Sequence, residues 1–143
     1  MELDTPCIGI CSTVYGDNVC RGCKRFYKEI INWNSYDEIE KEIVFNRLNE
    51  LIIQVTQDKI TIIDPELLRQ TLESFNIRYR EEQSPLCWAY YLLRDARNKI
   101  IHLEEVGILT TTAYNNHKLS QLYHEIDAEL FTRAETEFKI KNP

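Results

Sequence analysis

Four cysteines crowded into the first 23 residues constrain this chain more than any other feature: Cys7, Cys11, Cys20 and Cys23, spaced C-x3-C-x8-C-x2-C. Two close pairs joined by a short loop can fold four sulfurs around one ion at tetrahedral distances. Gly9 lies within the first pair and Gly22 within the second, where each lets the backbone turn back on itself. Gly16-Asp17-Asn18 reads as a tight turn that reverses the chain between the pairs. Lys24 and Arg25 follow Cys23 directly, and positive charge beside a thiol favours the thiolate that metals require.

Three chemistries use such a quartet. A disulfide framework belongs to secreted chains. The opening Met1 to Pro6 lacks a basic region followed by an apolar one, so no secretory leader is expected and this reading falls behind the others. A closed four-thiolate zinc site fits the short spacing and leaves no open position for catalysis. An iron–sulfur cluster also takes four thiolates, and thiolates suit both metals. Zinc is the expected cofactor, with an iron–sulfur cluster as the alternative. His102, His117 and His124 are all remote from the quartet in sequence.

Charge narrows the partners. Seventeen Lys and Arg against 23 Asp and Glu leave a net charge of −6, a poor balance for sequence-independent binding to phosphates. Residues 1–34 are neutral, with Glu2, Asp4, Asp17 and Glu29 against Arg21, Lys24, Arg25 and Lys28, so residues 35–143 carry the whole deficit. The four cations fall within eight positions. They read first as local compensation for a negative metal site, and second as a contact patch for a protein or RNA partner. DNA is not an expected partner. No apolar run approaches the ~20 residues that span a bilayer, so a soluble cytoplasmic protein is expected.

The run Pro6-Cys7-Ile8-Gly9-Ile10-Cys11, then Cys20-Arg21-Gly22-Cys23-Lys24-Arg25, then Glu29 and Asn32-Trp33-Asn34, resembles a known family. It is similar to the small bacterial YdhL-type proteins, a domain of unknown function described as predicted iron–sulfur proteins. The resemblance covers about residues 4–52 and takes in Glu40-Lys41. It implies a metal site at Cys7, Cys11, Cys20 and Cys23, and no established reaction. Family members are commonly little longer than the motif and its helix, whereas this chain continues through residues 53–143.

Helical periodicity organises the rest. Residues 25–33 suit a short helix, with Phe26, Ile30 and Trp33 docking the cysteine loop. Ser35 followed by Glu38 forms a capping-box pattern. A long helix is expected over 36–57, its inner stripe made of Ile39, Ile43, Leu48, Leu51, Ile52 and Val55. Lys59 to Ile63 reads as a short strand, with Ile77 to Arg80 as its candidate mate. Asp64-Pro65 starts a helix over 65–75 that ends at Asn76. Ser84-Pro85 starts another, expected to run to Val106 and stop at Gly107. A last helix is expected over 112–139, with Leu119, Leu122, Tyr123, Ile126, Leu130 and Phe131 inward.

Chemistry in the body is sparse. Arg97-Asn98-Lys99-Ile100-Ile101-His102 resembles the R-x4-6-H motif of the helical HEPN ribonucleases, which implies phosphate contact by Arg97 and acid–base work by His102. The plainer reading is a surface arginine and a half-buried histidine. Leu103 to Leu109 resembles a helix running into a wing in winged-helix proteins, but Glu104 and Glu105 would face phosphates there. Cys87 to Leu93 reads as core, with Cys87 a small buried hydrophobe. His117 and His124 are expected on one face of the last helix.

The expected fold is mainly α: a bundle of four to five helices with an N-terminal four-cysteine metal-binding loop, and room for one short two-stranded element. Residues 1–34 form the metal loop with its docking helix, and 35–143 the helical body. The expected function is non-enzymatic. Zinc at Cys7, Cys11, Cys20 and Cys23 structures a surface for a protein or RNA partner, met by Arg21, Lys24, Arg25 and Lys28. Electron or sulfur transfer on an iron–sulfur cluster is the alternative, and ribonuclease chemistry at Arg97 and His102 the second alternative.

Overall fold

The computed structural model describes residues 5–142. Residues 1–4, on which the expectation about a leader partly rests, lie outside the described residues. The regular structure comprises five α-helices, α1 (Tyr27–Asn32), α2 (Glu38–Thr56), α3 (Pro65–Ser74), α4 (Pro85–Ala96) and α5 (Leu119–Lys141), with short 3-10 turns between them. Two three-residue strands, β1 (Ile60–Ile62) and β2 (Ile108–Thr110), pair antiparallel. The protein is therefore mainly α-helical with a small two-stranded element. Two compact units divide it. One is Ile52–Asp127; the other takes the described residues up to Leu51 together with those from Ala128 onward.

In the unit Ile52–Asp127, local signals set the helix starts. Asp64 Oδ1 accepts the Leu67 N–H at 3.1 Å ahead of Pro65, and Ser84 Oγ accepts the Leu86 N–H at 3.2 Å ahead of Pro85. These bonds satisfy amides that the first helical turn leaves orphaned. Asn76 ends α3 in a left-handed conformation, φ +56°, while Ile77 N–H reaches back to the Leu72 carbonyl at 2.9 Å. All of Cys87 to Leu93 is buried, as a core stretch should be. Trp88 stacks edge-on against Tyr79 at 5.4 Å and donates its indole N–H to the Arg80 carbonyl at 3.0 Å.

Three expectations for this unit need correction. Strand β1 pairs with β2 in the register Ile60↔Thr110 and Ile62↔Ile108, and not with Ile77 to Arg80. Gly107, at φ +86°, is what brings β2 alongside: its carbonyl accepts from Ile63 and Asp64 N–H at 2.9 and 3.2 Å. A Cβ there would strike the Asp64 carbonyl, so the approach requires glycine. Helix α4 stops at Ala96, ten residues before Val106, because Arg97 Nη1 takes the carbonyls of Leu93 (3.3 Å) and Arg94 (2.6 Å) that would continue the ladder. Gly107 ends only the 3-10 turn Leu103–Val106. Helix α5 begins at Leu119, so His117 precedes it and does not share a helix with His124. His117 Nε2 instead meets Glu125 Oε1 at 3.2 Å.

In the other unit, Val19 and Phe26 form an isolated antiparallel bridge, and the second cysteine pair lies in the turn between them. The 3-10 turn Trp33–Ser35 joins α1 to α2. The capping box sits two residues later than expected. Asp37 Oδ1 accepts the Glu40 N–H at 2.8 Å and Glu40 Oε1 accepts the Asp37 N–H at 3.2 Å, whereas Ser35 Oγ donates to the Asn32 carbonyl. The inner face of α2 here is Val44, Phe45, Leu48 and Leu51. Ile39 and Ile43, expected on that stripe, are 72% and 62% exposed. Phe26 packs edge-on against Phe138 at 5.4 Å, and Trp33 against Phe45 at 5.8 Å.

Candidate functional site

The second cysteine pair occupies a closed hairpin turn. Cys20 N–H donates to the Arg25 carbonyl at 2.9 Å and Lys24 N–H to the Cys20 carbonyl at 2.8 Å. Lys24 takes a left-handed conformation, φ +66°, unusual for a residue with a side chain. Its ammonium folds over the turn and donates to the carbonyls of Arg21 and Gly22. Arg25 Nε donates to Cys23 Sγ at 3.3 Å, and its guanidinium lies 4.9 Å from the centre of the Trp33 ring. Both cations are 4% exposed.

The first pair lies directly against this turn. A Cβ on Gly22 would come within 2.8 Å of the Ile10 carbonyl and 2.9 Å of Ile8 Cγ1, so the two turns touch backbone to backbone only because Gly22 is bare. Cys20 Sγ lies 3.4 Å from the Ile10 carbonyl oxygen, and Arg21 N–H donates to Ser12 Oγ at 2.8 Å. Gly9 N–H donates to Cys7 Sγ at 3.3 Å, and Cys11 Sγ pairs with Thr13 Oγ1 at 2.9 Å. All four cysteines are free thiols, with Cys20 buried and the other three half-buried.

Cys20 and Cys23 act as one proton-sharing pair. The Cys23 thiol donates to Cys20, which, against the opposing effect of burial and with help from backbone N–H groups of Cys23, Ser12 and Gly22, holds Cys20 down at about 4. The same bond and burial push Cys23 up, against the pull of Arg25.

A formed four-cysteine centre is nevertheless not there. Among the described residues, no three His, Cys, Asp or Glu side chains are gathered so as to hold a metal ion. Local bonding explains the difference from expectation: Cys7 and Cys11 are engaged by Gly9 and Thr13, and Cys20 by Cys23 and Ile10. The sequence brings the two cysteine turns together without closing their sulfurs on one point.

The four cations do not make one surface patch. Lys24 and Arg25 are spent inside the turn. Arg21 pairs with Asp17 at 3.3 Å and lies 4.4 Å from the centre of the Phe131 ring, while Lys28 is exposed. Sequence reasoning gave Glu29 no role. Its Oε1 accepts the Phe26 N–H at 2.8 Å at the start of α1, and Arg47 grips both of its carboxylate oxygens. The Phe26 to Glu29 spacing of three was the available signal; Arg47, eighteen residues on, gave none.

Arg97 and His102 are not assembled for catalysis. Arg97 caps α4 and lies over the Tyr123 ring at 4.3 Å, whereas His102 sits beyond an extended Ile100, with its nearest carboxylate, Glu104, at 3.9 Å. The helix that would have carried both ends at Ala96, ahead of either residue.

What this geometry defines is a small, mostly helical protein with a cysteine-bearing N-terminal hairpin and no assembled catalytic or metal cluster among its described residues. Residues 5–51 match the model of a family described as "Protein of unknown function (DUF1289)". That match covers the residues that carried the resemblance, and 47 of the 143 in the chain. No curated protein and no solved structure matches the chain. No helix among the described residues is long and apolar enough to cross a membrane.

Proposed function

We propose that the N-terminal hairpin is a structural zinc-binding module, with Cys7, Cys11, Cys20 and Cys23 as ligands, and that its role is to present a contact surface to a protein or RNA partner. The observation that carries this reading is the clasp of the two cysteine turns through Gly22, Ile10 and Ser12. Bringing two remote pairs together is the costly step in building a four-thiolate site, and binding needs the thiols only to exchange their local partners for the ion. Backbone N–H groups already aimed at sulfur supply the outer contacts that orient thiolate ligands. Lys24 and Arg25 would offset the negative charge of a four-thiolate zinc.

Close contact between the turns favours a single ion over a multi-atom cluster, since zinc needs sulfurs only about 2.3 Å from its centre. Zinc would supply no reaction here. It would fix the 3-10 turn Ser12–Tyr15, on which Val14 and Tyr15 are exposed, as a rigid tip beside Arg21.

Elemental analysis of the anaerobically purified full chain tests this. Zinc equimolar with protein, lost in Cys20→Ser and retained in Cys87→Ser, is the expected result. Iron with acid-labile sulfide in a brown sample replaces zinc with the iron–sulfur alternative. Protein free of both, which takes up neither when supplied, ends the metal reading.

A further inference from the structure

The four hairpin cysteines are not equivalent. Cys7 Sγ is held by the Gly9 N–H and Cys11 Sγ by Thr13 Oγ1, each within its own turn. The second pair is joined sulfur to sulfur, the Cys23 thiol donating to Cys20. Backbone bonds hold that pair together: Lys24 N–H to the Cys20 carbonyl at 2.8 Å, Cys20 N–H to the Arg25 carbonyl at 2.9 Å, and the bridge between Val19 and Phe26 outside them. Positions three apart in a closed turn are neighbours, and a disulfide spans Cα atoms up to roughly 7 Å apart. The two thiols differ in access. Cys20 is 1% exposed, whereas Cys23 is half-buried and so reachable by a small solute. Arg25 Nε holds Cys23 Sγ at 3.3 Å, with its guanidinium braced on the Trp33 ring. A reachable thiol in contact with a buried one is the arrangement in which an oxidised sulfur meets a second sulfur before it is oxidised further.

From this arrangement we infer that Cys20 and Cys23 form a dithiol site that a small hydroperoxide converts to a reversible disulfide. In the first step the peroxide O–O bond breaks. Cys23 Sγ takes one oxygen as a sulfenic acid, and the other oxygen leaves as water with the thiol proton. In the second step Cys20 Sγ forms the S–S bond to Cys23 and displaces the hydroxyl, which leaves as water with the Cys20 proton. Two electrons pass from the sulfurs to hydrogen peroxide, which ends as two waters. Two molecules of a small thiol restore the pair by exchange and are themselves joined as a disulfide. The consequence for the site rests on the zinc-ligand reading above. Closure removes two of the four thiolates, and Cys7 with Cys11 does not complete a four-coordinate shell. Peroxide would then release the ion and unmake the surface it holds.

The probe is hydrogen peroxide, added to the reduced full-length protein both as purified and after chelator treatment. In the chelator-treated sample, thiols titrated under denaturing conditions should fall from five to three. Trypsin cuts after Arg21 and Lys24, so the bond appears as a cross-link between the peptide ending at Arg21 and the peptide Gly22–Lys24. Dithiothreitol should separate the two and restore all five thiols. Cys7→Ser, Cys11→Ser and Cys87→Ser should each keep the cross-link, which assigns it to Cys20 by variants that leave the second pair intact. Cys20→Ser should lose it and leave Cys23 as a sulfenic acid that dimedone traps. Five unreacted thiols, a cross-link lost in Cys7→Ser or Cys11→Ser, or Cys23 carried to a sulfinic acid without a cross-link overturns the proposal. In protein that carries zinc, peroxide should release the metal to a colorimetric chelator, and zinc retained through the treatment overturns the release. Cross-linking in protein that binds no zinc keeps the dithiol site and ends the zinc reading. Bound zinc with no cross-link after chelation does the reverse.

Discussion

The unit Ile52–Asp127 and the unit that holds the cysteines solve the same packing problem with different materials. In the first, the interior is hydrocarbon and rings: Leu68, Leu72, Leu92, Leu93, Ile108, Leu122 and Ile126 are fully buried, and α4 is apolar along most of its length. Cations there serve helix ends, as Lys59 does in donating to the Val55 carbonyl at 2.8 Å, or lie over rings, as Arg94 and Arg97 do over Tyr91 and Tyr123. In the second, cations fill space. Arg47 lies 4.1 Å from the centre of the Phe26 ring while holding Glu29, Arg25 covers Trp33, and Lys24 closes a turn. A hydrocarbon interior tolerates local change by repacking, whereas a buried polar network depends on every partner being present.

The largest expected effect comes from emptying the apolar interior. Trp88→Ala removes the ring against Tyr79 and leaves the Arg80 carbonyl without its donor, for a loss of about 3–5 kcal/mol. Hydrogen exchange resolved by residue should show protection falling in Ile52–Asp127. Equal loss in the cysteine unit would mean that the two open together and would break the comparison.

Cutting the polar network should cost nearly as much by a different mechanism. Arg47→Met leaves Glu29 buried without its cation, a loss of about 3 kcal/mol by denaturant unfolding. Adding Glu29→Gln, which can still accept the Phe26 N–H, should restore part of that stability. A hydrocarbon-packed unit would show no such rescue.

Alkaline pH should single out the other unit. Burial, with Cys87 adding to it, pushes the Tyr91 phenol up to about 12, although the Gln83 hydrogen bond pulls the other way. Tyr90 moves in the same direction through burial and the neighbouring Asp127. A raised folded pKa means that the fold favours the neutral phenol. The stabilisation is complete below the ordinary value near 10 and is lost as pH rises through 12, on the order of 2 kcal/mol from Tyr91. Denaturant midpoints measured across that window should fall, and less steeply in Tyr91→Phe.

What the sequence disclosed follows the same division. Features set within a few residues were legible: the Asp64-Pro65 and Ser84-Pro85 starts, the Asn76 stop, the aromatic run of α4 and the turn-forming cysteine pairs. Features set by a remote partner were not. Ile60 found Thr110 across fifty residues, and Glu29 found Arg47 across eighteen. Ile39 and Ile43 looked like core because periodicity records hydrophobicity and carries no information on whether a neighbour exists to cover it. Closure of the four sulfurs was expected from spacing, but spacing constrains only where the backbone can go, and each thiol found a nearer partner.

The smallest effect discriminates most finely between a motif and its realisation. Ser35 with Glu38 and Asp37 with Glu40 have the same spacing, and only the second pair forms the reciprocal bonds. The preceding turn decides between them: Trp33–Ser35 is still 3-10, with Ser35 Oγ bonded to the Asn32 carbonyl, so the backbone first becomes free to start α2 past Tyr36. Asp37→Ala should therefore cost about 1 kcal/mol. Ser35→Ala, which loses only a bond at an exposed site, should stay within about 0.5 kcal/mol. Thermal unfolding of the two variants side by side checks the ordering. Equal losses would mean that α2 frays back to residue 36 in solution, as the sequence pattern alone implied.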